Sequence, residues 1–404
     1  MIPFSPPKIT QEVIDEVVDA LRSGWITTGP KTKQLEKEVA AYAGAPYALC
    51  LNSATAGLEL MLRWFGVKEG DEVILPAYTY CATANVVLHC GAKPVLVDVR
   101  RADFNMDAEQ VRKAITPRTK VIMPVDIGGM PCDYPALQAL LQEPEIRSRF
   151  VAETPEQQQL GRVLLLADAA HSFGASAGGK RAGSLCDASV FSFHAVKNFT
   201  TAEGGAVCLC LPEPFHNQQI YQALCVKSLH GQNKDALAKT QKGNWEYDIV
   251  EAGYKWNMPD VLAAIGLAEI RHYNNETLLR RKKIMEAYSQ GFRAYAWAEL
   301  PVFDAPGIHS SCHLYMLRIR HCSESQRNAI IQKIFDQDVS VNVHFKPLPL
   351  LSLYKNLGYR MEDYPVAFDS YAREISLPVY YDLSEEQVQT VIRAVVNAVA
   401  SVLK

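Results

Sequence analysis

Short apolar runs alternate with stretches of helical period over the first two-thirds of the chain. The runs fall at 47–51, 72–75, 94–99, 121–125, 162–167, 188–193 and 206–211, each bounded by Gly, Pro, Asp or Asn. Continuous apolar runs, as opposed to alternating ones, mark strands covered on both faces. Between them, 32–43, 55–65 and 107–115 read as helices; in the second, Leu58, Met61, Leu62 and Phe65 share one face. The pattern predicts an α/β domain whose mainly parallel sheet is packed by helices on both sides.

Two polar stretches interrupt this rhythm. Residues 142–161 carry Pro144 and Pro155 and read as a surface insertion, and 231–247 reads as an exposed loop. From Pro259 the pattern turns helical through Met285, long enough to bridge two domains. A strand at 314–320 and a helix at 384–403 then point to a smaller C-terminal α+β lobe. The expected division is 1–265 for an N-terminal segment and large domain, and 266–404 for a linking helix and small domain.

Composition narrows the classes. With 404 residues, 48% apolar and 21% charged, the chain has material for a large core, and disorder is excluded as its overall state. A net charge of −3 gives no electrostatic footprint for nucleic acid or an anionic membrane, and no apolar stretch is long enough to span a bilayer. The first seven residues lack a basic segment followed by an apolar run, so no secretory signal is expected and the cytoplasm is the expected location. Ten scattered cysteines form no C-x-x-C pair and no zinc-ligand spacing, so reduced, buried thiols and no metal are expected.

Four strand ends carry candidate chemistry. Ser53, Ala54 and Thr55 follow the first run and open a helix, where free N–H groups and hydroxyls suit a phosphate, although an ordinary N-cap uses the same letters. Tyr80 lies past the 72–75 run, placed either to stack on a flat heterocycle or to fill core space. Asp168 ends a fully apolar run, with His171 three residues on; the acid either faces a buried cation or protonated ring nitrogen, or caps the next turn. Lys197 follows the 188–193 run with Ser192 five residues before it, and it is either a solvated loop lysine or an amine made nucleophilic by desolvation. One flat, anionic, aldehyde-bearing ligand uses all four groups together: pyridoxal 5'-phosphate (PLP).

The chain resembles the DegT/StrS sugar aminotransferases, PLP enzymes of fold type I. The resemblance runs from Ser23 almost to the C-terminus, ending in the 375–383 segment. It is carried by Asn52-Ser53-Ala54-Thr55-Ala56, by Phe191-Ser192-Phe193-His194-Ala195-Val196-Lys197-Asn198, and by Ala202-Glu203-Gly204-Gly205. These motifs look closest to the branch that makes 4-amino sugars. The resemblance implies that Lys197 bonds the cofactor and shuttles the proton, and that Asp168 pairs with the pyridinium nitrogen. It also implies that His171 meets the ring hydroxyl, that Tyr80 stacks on the ring, and that Ser192, Ala54 and Thr55 hold the phosphate. Lys255 stands where relatives carry an asparagine that reaches the cofactor of the partner subunit, and a histidine common in relatives near Leu350 is missing.

The implied reaction moves an amino group from an amino acid, L-glutamate by family habit, to a nucleotide-linked 4-keto-6-deoxy sugar, in a homodimer with shared active sites. A 3-keto sugar aminotransferase is one rival and a non-catalytic sugar-nucleotide-binding regulator another. The intact Lys197, Asp168 and Ser192 weigh against the second, and a sister branch of dehydratases with histidine in place of the lysine is set aside by Lys197.

Overall fold

A computed structural model describes residues 1–234 and 246–403. Its largest sheet has seven strands: β1 (Tyr47–Leu51), β2 (Glu72–Pro76), β3 (Lys93–Val97), β4 (Thr119–Ile122), β5 (Leu164–Asp168), β6 (Ala188–Ser192) and β7 (Gly205–Leu209). Their order across the sheet is β1-β7-β6-β5-β4-β2-β3. From β3 to β6 every pairing is parallel, and β7 runs antiparallel between β6 and β1. The mainly parallel α/β architecture expected from the apolar runs is present, and all seven predicted strands occur within a few residues of their expected bounds.

The apolar continuity of the runs has a direct structural cause. In β5, Leu164 and Leu166 enter the core on one face of the sheet, while Leu165 and Ala167 enter the core on the other. β2 does the same, with Val73 and Leu75 on one side and Ile74 on the other. Each such fully buried aliphatic side chain contributes about 1.5–3 kcal/mol relative to exposure. A polar residue inside these strands therefore has no face on which to escape, and the first polar side chain available to a ligand is the one at the strand end.

A separate apolar cluster forms beyond the large sheet. Its framework is a three-stranded antiparallel sheet of β8 (Ala298–Glu299), β9 (Tyr315–Ile319) and β10 (Glu374–Leu377), in the order β8-β9-β10. Val388, Val391, Val395 and Val399, one face of the Glu385–Val402 helix, pack into this cluster. A helical run joins the two regions. Asp260–His272 places Ala263 and Leu267 against the large sheet, and Leu278–Phe292 places Ile284, Met285, Tyr288 and Phe292 in the smaller core. The run extends past the expected Met285, and a π turn at Tyr273–Thr277 divides it.

The segment read as a surface insertion, 142–161, contains two short helices, Pro144–Arg149 and Pro155–Leu160, each with proline at its first position. Proline starts a helix where its missing N–H costs nothing. Ile146, Gln157 and Leu160 are buried, and the Gln157 amide donates to the Phe65 carbonyl at 2.9 Å, so the segment is packed down. Of the expected loop at 231–247, residues 235–245 lie outside the described residues. No helix among the described residues is long and apolar enough to cross a membrane.

Candidate active site

The ends of β1, β5 and β6 open into one cavity of about 390 Å³. Ala54, Thr55, Tyr80, Asp168, His171, Ser192 and Lys197 all line it. They come from four separate segments that meet only because the parallel strands end side by side.

The helix Ala54–Trp64 begins at the end of β1. Ser53 is its N-cap: its backbone is extended and its hydroxyl accepts from the Ala56 N–H at 3.1 Å. This leaves the first N–H groups of the helix, at Ala54 and Thr55, turned to the cavity with no partner among the described residues. Two glycines allow the turn to sit this close to the sheet. A Cβ on Gly57 would lie 2.8 Å from the Val190 side chain, and one on Gly205 would lie 2.5 Å from the Ala54 nitrogen and 2.7 Å from the Phe191 oxygen. The letters of an ordinary N-cap thus do two things at once: Ser53 caps, and the residues after it present bare donors to an anion.

Asp168 is buried at the tip of β5. Its Oδ2 accepts from the Thr83 hydroxyl at 2.8 Å, Thr83 being held in turn by Thr79 at 2.8 Å, and its Oδ1 accepts from the Ala170 N–H at 3.2 Å. Burial raises the carboxyl above its usual range, while Thr83, the Ala170 amide and the Lys197 charge hold it down. Lys197 closes a short turn after β6, its N–H donating to the His194 carbonyl at 2.9 Å. Burial pulls its ammonium down to about 8, with Asp168 pulling back. A lysine so placed exchanges its proton near neutral pH.

His171 accepts the Gly128 N–H on Nδ1 at 3.3 Å, which puts its proton on Nε2. Burial, with the Lys197 charge and His344 adding to it, holds the ring well below the usual imidazole range, so it is neutral. It lies 4.4 Å from the His313 ring, centre to centre. His313 shares a 2.8 Å hydrogen bond with Asn198 Oδ1, and the Asn198 amide donates to the Ser311 carbonyl at 2.7 Å. Because Asn198 presents its oxygen, His313 carries its proton on Nδ1.

Tyr80 is 61% exposed, at the mouth, with its ring 5.9 Å from that of Phe345. Lys255 is the one expected site residue outside this group: it is exposed and does not line the cavity, and only its carbonyl approaches the site, accepting from the Asn52 amide at 3.4 Å.

Several lining groups were not expected from the sequence. Phe4, His194, Glu203, His313, His344 and Phe345 also face the cavity. A histidine directly before an apolar strand was the available signal for His313. His344 and Phe345 sit in an apolar segment just ahead of Pro347, where only the missing histidine near Leu350 drew notice.

The residues present fit PLP on two observations: unpaired helix N–H groups suited to a phosphate, and a buried carboxylate facing a depressed lysine across a cavity of small-molecule size. Among the described residues no cluster of His, Cys, Asp or Glu could hold a metal ion.

Comparison with known proteins agrees with this geometry. Spr1654 from Streptococcus pneumoniae, named as a sugar aminotransferase and solved in a PMP form, superposes with a TM-score of 0.96 at 46% identity, covering all of both chains. Its PLP form gives 0.94 at 44%, again over both whole chains. The spore coat polysaccharide biosynthesis protein SpsC of Bacillus subtilis is 36% identical over 398 residues, 98% of this chain and 96% of its own. Helicobacter pylori PseC, an aminotransferase involved in the biosynthesis of pseudoaminic acid, superposes at 0.85 with 26% identity over 99% of each chain. Residues 7–148 and 154–396 match one family, so that little beyond the short 149–153 segment interrupts the match. The chain belongs to the DegT/DnrJ/EryC1/StrS aminotransferase family.

Proposed function

We propose that this protein is a PLP-dependent sugar aminotransferase that takes an amino group from L-glutamate and places it on a nucleotide-linked 4-keto-6-deoxy sugar, in a route to a surface polysaccharide or a related amino sugar. The observation that carries the reading is the meeting of Lys197, Asp168 and the bare Ala54 and Thr55 N–H groups in one cavity. The SpsC and PseC names support the sugar and polysaccharide assignment.

PLP bound here supplies an aldehyde to which amines bond and a protonated ring that spreads the charge developing at the substrate carbon. The chain's own groups do the rest. Lys197 Nζ holds the cofactor and, once released, carries the proton to and from the substrate carbon, a task its depressed pKa suits. Asp168, oriented by Thr83, keeps the ring nitrogen protonated. His171, with its proton on Nε2, donates to the ring oxygen. The Ala54 and Thr55 amides, with Ser192, hold the phosphate, and Tyr80 covers the ring.

The protein acts in this reading as a cytoplasmic homodimer, large domain 1–265 and small domain 266–404, with Lys255 reaching toward the partner subunit's site. The exposed position of Lys255 supports that role over one in its own cavity. Incubation with glutamate and a panel of 3-keto and 4-keto nucleotide sugars, followed by mass spectrometry, tests the specificity. Amination of 4-keto sugars is expected; exclusive amination of 3-keto sugars assigns the rival regiochemistry, and no amination of any sugar rejects the reading.

A further inference from the structure

The C-terminal wall of the cavity holds a hydrogen-bonded chain that the reaction above does not use. In β10, Ile375 and Leu377 point into the smaller core, and the alternate residues Glu374 and Ser376 point the other way, toward His344. All four are fully buried. The Ser376 hydroxyl bonds Glu374 Oε1, and His344 Nδ1 lies 2.9 Å from the same hydroxyl. The backbone of His344 is pinned as well: its N–H donates to Glu374 Oε2 at 3.0 Å, and its carbonyl accepts from the Tyr78 hydroxyl at 2.6 Å. The Phe4 ring stacks on the imidazole at 5.5 Å and 22°. With Nδ1 engaged in the interior, Nε2 is the ring nitrogen left for the cavity, which His344 lines beside Lys197.

A hydroxyl between a carboxyl and an imidazole can point only one way at a time. With Glu374 ionised, Ser376 donates to the carboxylate and accepts the Nδ1 proton of His344, so Nε2 offers a lone pair. With Glu374 protonated, the carboxyl donates to Ser376, Ser376 donates to Nδ1, and Nε2 carries the hydrogen. We infer that Glu374 and Ser376 are positioning residues that set whether His344 meets the substrate as a hydrogen-bond acceptor or as a donor, and that the three form a path for one proton. The transfer balances. A proton from the cavity joins Nε2, the Nδ1 proton passes to Ser376, the Ser376 proton passes to Glu374, and the carboxylate becomes neutral. The imidazole ends neutral, as it began.

The surroundings favour this exchange over a charged imidazolium. Burial and the Lys197 charge hold His344 down at about 4, so it stays neutral across the working range. Burial pushes Glu374 up to about 8, against the pull of Ser376, the His344 amide, Arg327 and Arg318. Tyr78 also faces Glu374, and its own ionisation is suppressed by burial. His171 and His313 lie on the cavity side, both held neutral by burial. Lys197 is the other group there that titrates near 8.

The inference rests on the aminotransferase reading for its substrate, but its test does not. Nitrogen-15 spectra of histidine-labelled full-length protein report which ring nitrogen holds the proton, and the His344 signals are those missing from His344→Gln. In the wild type the proton is expected on Nε2 at neutral pH and on Nδ1 once Glu374 has ionised. Glu374→Gln must donate its amide to Ser376, so it is expected to lock the proton on Nε2 at every pH. Ser376→Ala is expected to abolish the switch. A wild-type tautomer that never changes, or a switch that survives in Glu374→Gln, overturns the relay. PLP absorbance read on the same samples reports separately on the aminotransferase reading.

Discussion

One wall of the cavity is made from the ends of β1, β5 and β6, and each of its groups stands within a few residues of the strand that places it. Another part of the lining comes from segments around His313, His344 and Leu377, distant from one another in the chain and brought together by packing against both the large-sheet core and the smaller one. The first wall presents helix N–H donors, a carboxylate, a lysine and the His171 imidazole, each placed by a strand end. The second presents neutral imidazoles whose donor or acceptor role is set by what lies behind them, Asn198 for His313 and Ser376 for His344. On the proposed function, the bonding chemistry falls to the sheet side and the adjustment of substrate contacts to the other.

The comparison breaks most readily at Lys197. Lys197→Ala removes the proton carrier, and steady-state turnover should fall by at least ~10²–10⁴-fold, the usual weight of general acid–base catalysis; a variant that keeps its turnover ends the account of the sheet wall. Gly205→Ala comes next. Its new Cβ would press on the Ala54 nitrogen and the Phe191 oxygen, so a loss of about 1–3 kcal/mol is expected in thermal unfolding, with weaker PLP binding by titration. Normal stability and affinity would show that the close approach is not needed.

Thr83→Val keeps the volume and removes the donor to Asp168. A buried carboxylate left short of a partner costs about 1–3 kcal/mol, so a fall in kcat of roughly tenfold is expected with little change in KM. The smallest effect is on stability. Lys197 is depressed to about 8 from an ordinary 10.5, so between these values the unfolded chain binds more protons and stability rises with pH. Below 8 the lysine is a standing penalty. Lys197→Met should therefore raise the melting temperature of the PLP-free protein at neutral pH, and the gain should fade as pH climbs toward 10.5. A gain that is independent of pH would place its origin elsewhere.

The same contrast explains what could be read from the letters. Asp168 was visible because 163–167 is wholly apolar, so the first polar residue after it stands out, and Lys197 because it closely follows the 188–193 run. The candidate anion-binding turn was visible because Ser53, Ala54 and Thr55 follow β1 directly. His344 gave no such signal. Its partners Glu374 and Ser376 lie some thirty residues away on a strand, β10, that the pattern had not marked, and their meeting depends on tertiary packing. The helices of the 142–161 segment were not legible for a related reason: its two prolines mark no obvious helix, yet both sit at the first position of one, where proline is harmless. Lys255, flagged by likeness alone, does not line this cavity.

The most direct test of the central claim is chemical. Borohydride reduction of the PLP-loaded protein fixes the cofactor to whichever amine holds it, and peptide mapping by mass spectrometry locates the mass. The account predicts a single modified residue, Lys197, and no mark in Lys197→Ala; reduction onto any other lysine, or none at all in PLP-saturated wild-type protein, would contradict it.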